Sequence, residues 1–149
     1  MRAVCQRVKR AWVDVAGETI GAINVGLLVY TAVGTGDDES AAAKLAEKLV
    51  NLRIFDDANG KMNRSIMDVA GSVLLVPQFT LYGDARKGRR PSFNGAAQQE
   101  VAIPLLDHVR DGISSHAVPC ATGLFGAEMQ VHAQVDGPVT ILLDTSGVF

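Results

Sequence analysis

Gln78 and Thr80 stand two residues apart just beyond an apolar run, Val73-Leu74-Leu75-Val76, and Arg86, Lys87, Arg89 and Arg90 follow within ten residues. A buried strand that delivers hydrogen-bonding groups into a basic loop suits an anionic ligand. Without a ligand, the same stretch is a central strand, a turn at Tyr82-Gly83-Asp84 and a solvated basic loop. Thr80 carries the obvious hydroxyl for nucleophilic attack. Such a hydroxyl needs a base within hydrogen-bond reach to take its proton, and no sequence neighbour supplies one. His108 and His116 flank an expected helix and His132 falls on the polar parity of an expected strand, so all three read as ordinary, partly exposed side chains rather than members of a triad. Three scattered histidines and two distant cysteines do not form a zinc ligand set either.

A second stretch with chemical character lies near the C-terminus. Gly123-Leu124-Phe125-Gly126-Ala127-Glu128-Met129 leads into a segment in which Met129, Val131, Ala133 and Val135 oppose Glu128, Gln130, His132 and Gln134. That period of two marks a half-exposed strand from Glu128 to Val135. Asp136-Gly137-Pro138-Val139-Thr140 follows, with the local chemistry of a hairpin: Asp-Gly is a turn signal, and proline is tolerated as the first residue of the next strand. Near the N-terminus, Arg7 sits among apolar residues, so its guanidinium either snorkels to water or is paired.

The elements that must carry these groups follow from periodicity. Strands are expected over residues 2–15 and 18–33, turning at Ala16-Gly17-Glu18, with Gly26-Leu27-Leu28-Val29-Tyr30 buried on both faces. In the first strand Val4, Val8 and Trp12 fall four apart while Cys5, Ala11 and Val13 share the other parity, which points to a bulge. Gly34-Thr35-Gly36-Asp37-Asp38 ends the strand pattern and supplies an N-cap; Leu45, Leu49 and Leu52 then predict a core-facing helix to about Leu52. Asp56 to Lys61 reads as a turn and Ile66-Met67-Asp68-Val69 as a short strand. Val101, Leu105 and Val109 predict a second helix over roughly Ala96 to Ile113, with Pro104 kinking it or delaying its start to near Ile103. Val118 to Ala121 and Val139 to Leu143 complete the strands. The fold class is therefore α+β, a single domain over residues 1–149, with an antiparallel barrel-like sheet and two helices.

With 149 residues, 48% of them hydrophobic, the chain can bury a core without staples. The formal charge is only -2, yet it is unevenly spread. Arg2, Arg7, Lys9 and Arg10 crowd the first ten residues, and from Asp84 to Arg90 four bases face one acid. From Glu100 onward Arg110 stands alone against six acids. Two local basic patches on a mildly acidic protein suit a selective RNA ligand better than general nucleic-acid coating. Cys5 and Cys120 read as free thiols. The opening residues lack the apolar core of a signal peptide and no apolar run reaches membrane-spanning length, so a cytoplasmic protein without a membrane partner is expected.

Pro77-Gln78-Phe79-Thr80-Leu81-Tyr82-Gly83-Asp84 with Lys87 to Phe93, and Gly123 to Val131 with Asp136 to Thr140, together resemble the D-aminoacyl-tRNA deacylases, enzymes that hydrolyse the ester between a D-amino acid and the 3′ end of tRNA. The resemblance runs from Met1-Arg2-Ala3-Val4 through Asn51-Leu52-Arg53-Ile54-Phe55 to Leu142-Leu143-Asp144. There are two departures: Pro77 stands where the family usually has serine, and Val135 where it usually has asparagine.

The resemblance implies a homodimer acting on aminoacylated tRNA, with no metal or organic cofactor and no DNA partner. It implies that Gly137 and Pro138 form a cis element reaching into the partner subunit's site. There its carbonyls capture the amino group of a D-aminoacyl moiety and exclude an L side chain by contact, while glycine passes. Gln78, Phe79 and Thr80 then form the other wall, giving backbone donors to the developing oxyanion and orienting the substrate. A water assisted by the RNA 2′-hydroxyl attacks the ester, which accounts for the missing side-chain base. Phe125 and Met129 correspond to positions that hold the terminal adenosine, Lys87, Arg89 and Arg90 meet phosphates, and Arg7 has a pairing role near the site. Two rivals stand beside this reading: a nucleic-acid-binding module with the fold but not the chemistry, and a relaxed relative with Pro before Gln and a trans Gly-Pro bond that also accepts some L-aminoacyl esters.

Overall fold

The computed structural model describes residues 1–148. Its elements are β1 (Arg2–Val15), β2 (Glu18–Ile23), β3 (Gly26–Ala32), α1 (Glu39–Asn51), β4 (Phe55–Asp56), β5 (Met62–Arg64), β6 (Ser72–Pro77), a 3-10 turn (Phe79–Tyr82), α2 (Gln99–Ser115), β7 (Cys120–Thr122) and β8 (Gln130–Asp144). No helix among the described residues is long and apolar enough to cross a membrane.

β1 is the strand on which the sheet is assembled. Along one edge it pairs antiparallel with β3 through Arg2 to Val8 and then with β2 from Ala11 to Val15; along the other it pairs antiparallel with β8. β3, β6 and β7 continue the sheet in parallel. The sheet is thus mixed rather than purely antiparallel, because α1 and the β4–β5 hairpin return the chain to the start of β3 before β6 begins. β2 curls over towards β7, where a Cβ on Gly21 would stand 2.9 Å from the Thr122 carbonyl oxygen, so the sheet is nearly closed.

The expected bulge exists and explains the broken parity of β1. Its pairing with β8 shifts between Gln6 and Val8 and again between Val8 and Arg10. Before the shifts Ala3 and Cys5 face the helices together with Leu27, Val29, Val73 and Leu75; Val8, between them, and Ala11 and Val13, after them, join Leu28, Leu74 and Val76 inside the barrel. One strand therefore serves two cores. β3 and β6 approach so closely that a Cβ on Gly26 would overlap the Ser72 carbonyl oxygen at 1.8 Å, so only glycine fits there.

α1 begins as its sequence indicates, with the Asp38 carboxylate accepting the Ala41 N–H at 2.9 Å and Glu39 in the first turn. Its Ala42, Leu45, Ala46 and Leu49 pack with α2 over the sheet. α2 starts at Gln99, ahead of Pro104, not near Ile103. Pro104 lies on the solvent face, so water can meet the carbonyl that its missing N–H leaves behind.

Four further local expectations are corrected. Ile66 to Val69 is a turn: the Asp68 carboxylate accepts the backbone N–H and hydroxyl of Ser65, and this closure overrides the β preference of the apolar residues. Ile66 is nonetheless fully buried, as a plug. The strand expected at Val118 lies at Cys120–Thr122. The segment 18–33 is two strands, parted at Asn24-Val25. Finally, Asp136-Gly137 makes no hairpin; one strand, β8, runs from Gln130 to Asp144 because β1 pairs with it on both sides, up to Val135 and again from Thr140, while Asp136 to Val139 bulge out of the ladder.

Candidate active site

The residues singled out by sequence fall into two clusters. The first sits where β6 ends. Gln78 is anchored by its N–H to the Thr31 carbonyl at 2.8 Å, and its side-chain amide donates to the Thr80 hydroxyl. Phe79 and Thr80 are not an extension of the strand: they open the 3-10 turn, closed by Leu81 N–H to Gln78 O at 3.2 Å and Gly83 N–H to Thr80 O at 2.9 Å. The first amides of such a turn lack an acceptor within it. Phe79 is 49% exposed, and its ring meets Phe93 edge-on at 5.2 Å.

The glycine-rich loop joins this cluster through backbone geometry. Gly123 N–H donates to Leu75 O at 2.9 Å, which sets Gly123 to Met129 beside Pro77. The Met129 sulfur lies 3.4 Å from the Leu124 N–H. Phe125 is half-buried and lines a cavity of about 260 Å³ between the end of β6 and α2.

Beyond the 3-10 turn, the basic loop is pinned at its neck by mutual Asp84 and Ser92 backbone bonds of 2.7 and 2.9 Å. Arg86 folds back onto the Asp84 carboxylate, and these hydrogen bonds hold that carboxyl well below the usual carboxylate range. Lys87, Arg89 and Arg90 are exposed and make no ion pair among the described residues. A larger cleft of about 560 Å³ opens beneath the loop, where Arg2 stacks over the Tyr82 ring at 4.5 Å.

The second cluster surrounds Gly137 and Pro138. Arg7, only 8% exposed, donates from Nη1 to Ile54 O at 2.7 Å and from Nε to Asp136 O at 3.3 Å, with the Asp136 carboxylate 3.2 Å from Nε and that of Asp56 3.5 Å from Nη1. The guanidinium is therefore paired rather than snorkelling, and it ties β8 to the start of β4. Gly137 has φ of +120°, and a Cβ there would stand 3.1 Å from the Val139 nitrogen and 3.2 Å from Arg7 Nη2. The Gly137–Pro138 peptide bond is cis, and both residues are exposed. Val135 pairs with Val8 in the ladder.

One chain does not bring the two clusters together. Gln78, at the end of β6, bonds to Thr31 near the end of β3, whereas Arg7 on β1 pairs with Leu27 near the start of β3, and Gly137 lies one strand further, on β8. Four residues of strand and the three interstrand spacings from β6 to β8 amount to a separation of roughly 20 Å along the sheet.

The histidines join neither cluster. His132 stacks on Trp12 at 4.7 Å beside Asp14, His116 faces Glu47 at 3.3 Å, and His108 lies in the groove between α1 and α2. Among the described residues no group of three or more His, Cys, Asp or Glu could hold a metal ion. The Cys5 thiol is pushed up to about 12 by burial, as is that of Cys120.

Residues overlooked by sequence reasoning are the partners of Arg7 and, beside the glycine-rich loop, Asp107. Ile54 and Asp56 act through fold proximity, which no local spacing encodes. Asp107 lies on the helix among the core-facing positions Leu105, Leu106 and Val109, and only the packing of α2 against Phe125 gives it meaning.

Residues 4–144 match the family model described as D-Tyr-tRNA(Tyr) deacylase. A protein named D-aminoacyl-tRNA deacylase from Thermosipho africanus is 52% identical over 149 residues, covering 100% of both chains. Among solved structures, one named c-Myc DNA Unwinding Element Binding Protein superposes with a TM-score of 0.90 at 39% identity, over 97% of this chain and 98% of that one. A second, described as a probable eukaryotic D-amino acid tRNA deacylase, shares the fold with a TM-score of 0.82 at 18% identity, over 95% and 97% of the two chains. With a match across nearly all of its length, the chain belongs to the D-Tyr-tRNA(Tyr) deacylase family.

Proposed function

We propose that this protein is a D-aminoacyl-tRNA deacylase, a hydrolase that releases a free D-amino acid and tRNA. The observation that carries this reading is the full-length match to proteins of that name, with the strand-end cluster intact at Gln78, Phe79 and Thr80. The water oxygen attacks the ester carbonyl carbon, the bond to the terminal ribose oxygen breaks, and the proton passes to that oxygen as the tRNA leaves. Backbone N–H groups of Phe79 and Thr80 stabilise the oxyanion, and Thr80, in contact with Gln78, orients the substrate. No histidine stands near Thr80 to act as base, which supports assistance by the RNA 2′-hydroxyl.

The stereochemical filter on this reading is Gly137 and Pro138 of a second copy. Their exposure and their separation from Gln78 within one chain support a two-fold dimer in which each subunit completes the other's site. Arg7 positions the segment, Phe125 and Met129 hold the terminal adenosine, and Lys87, Arg89 and Arg90 meet RNA phosphates. An L side chain meets backbone there, whereas glycine does not, so glycyl-tRNA is also a substrate.

A deacylation assay of D-tyrosyl-, L-tyrosyl- and glycyl-tRNA tests the whole proposal. Cleavage of the D and glycyl esters with L spared is expected; cleavage of L as well points to the relaxed relative. A nucleic-acid-binding module without the chemistry has its support in the name of the 39%-identical structure, and binding of DNA with no ester cleaved would favour it.

A further inference from the structure

The cavity of about 260 Å³ between β6 and α2 is walled by Pro77, Ile103, Leu106 and Phe125, and its only polar side chains are Thr122 and Asp107. Its volume is close to the lower end for small-molecule sites, roughly 300 Å³, which suits one planar ring system better than a whole nucleotide. Asp107 is the single charged side chain of the lining and is half-exposed. Its Oδ1 accepts the Arg110 Nη1 N–H at 2.7 Å; among the described residues no donor meets Oδ2. A carboxylate with one oxygen engaged and the other open, at the edge of an apolar slot, accepts a hydrogen bond from an amino group on the ring edge.

From this geometry we infer that Asp107 reads the exocyclic amino group of the terminal adenine, making it a specificity residue for the RNA end. The inference rests on the reading that Phe125 holds that base, and it adds what the base edge meets. Adenine presents an N6 amino donor at the position where guanine presents an O6 acceptor, so a carboxylate attracts the first and repels the second. Pro77, Leu106 and Phe125 contact either purine alike, which leaves the discrimination to Asp107. Arg110 holds the carboxylate in place through Oδ1.

The test compares D-tyrosyl-tRNA ending in adenosine with the same tRNA ending in purine riboside, which lacks only the amino group. Wild type is expected to prefer adenosine about tenfold in kcat/KM, mainly through KM. Asp107→Ala should remove the preference by slowing the adenosine substrate alone, and Asp107→Asn, which keeps an acceptor oxygen, should restore part of it. Equal loss on both substrates would mark Asp107 as merely structural and overturn the inference, as would an undiminished preference in Asp107→Ala. The same comparison on uncharged CCA and CC-purine trinucleotides, read by binding, tests base preference without ester chemistry. If the deacylase reading fails there is no turnover, yet the binding preference still stands or falls with Asp107.

Discussion

The two clusters solve opposite physical problems. The strand end at Gln78 to Thr80 is built from backbone hydrogen bonds and leaves the Phe79 and Thr80 side chains exposed, so either can change without disturbing the core. The Gly137-Pro138 segment is equally exposed, yet it is held from behind by a buried guanidinium that bonds to two carbonyls and faces two carboxylates. On the proposed reading the first presents backbone donors to the ester, and the second keeps its shape against the aminoacyl group. In the proposed two-fold dimer, the rigid wedge and the open receptor, roughly 20 Å apart along the sheet of one chain, each meet their counterpart on the other copy.

The largest effect expected of that comparison is a complementation. Thr80→Ala should lower kcat/KM by roughly a hundredfold through loss of substrate orientation at the receptor. Gly137→Ala should do the same through the wedge, because its Cβ is forced against the Val139 backbone and Arg7 at a positive φ. On the proposed dimer, refolding the two inactive variants together should yield mixed dimers in which one site has both elements intact. Activity should then return to about one quarter of wild type, since half the dimers are mixed and each has one good site of two. No recovery in mixtures shown to exchange subunits would break the cross-subunit reading.

Arg7→Met sharpens the same contrast from the wedge side. It removes bonds to Ile54 O and Asp136 O, leaves the Asp56 carboxylate without its cation and leaves Asp136 with Lys9 alone, at 3.9 Å. Because both carboxylates are partly exposed, water relieves some of the penalty, and a stability loss of about 2–3 kcal/mol in urea unfolding is expected. Thr80→Ala, an exposed position, should change stability by less than about 0.5 kcal/mol. In the mixing experiment Arg7→Met should be rescued by Thr80→Ala and not by Gly137→Ala, since it damages the wedge and spares the receptor.

The receptor was the more legible cluster in the sequence. An apolar run that stops at Pro77 and turns polar at Gln78 announces a strand end, and β6 ends there. What local pattern missed was continuity imposed from outside: Asp136-Gly137 is a turn by its own chemistry, but β1 pairs with β8 on both sides of it and keeps the strand running. The same holds for Arg7, whose partners Ile54 and Asp56, just before and within β4, lie 47 and 49 residues away. The turn at Ile66 erred the other way, since a short-range Ser65-Asp68 closure outweighed apolar residues that looked like a strand. Parallel pairing of β3 with β6 was invisible because it depends on how α1 packs, which strand composition alone does not encode.

The smallest effect belongs to the basic loop, and it separates binding from chemistry within the receptor. Arg86 is already turned onto Asp84, so its charge contributes little to an RNA partner. Lys87, Arg89 and Arg90 are exposed and have no acidic partner among the described residues, which leaves their charge for phosphates. Each phosphate contact to a single strand contributes roughly 0.7 to the slope of log affinity against log salt. Replacing all three by alanine should therefore flatten the salt dependence of KM by about two units, with kcat little changed, while Arg86→Ala should leave the slope nearly as it was. A triple variant whose slope matches wild type would move the RNA path off this loop.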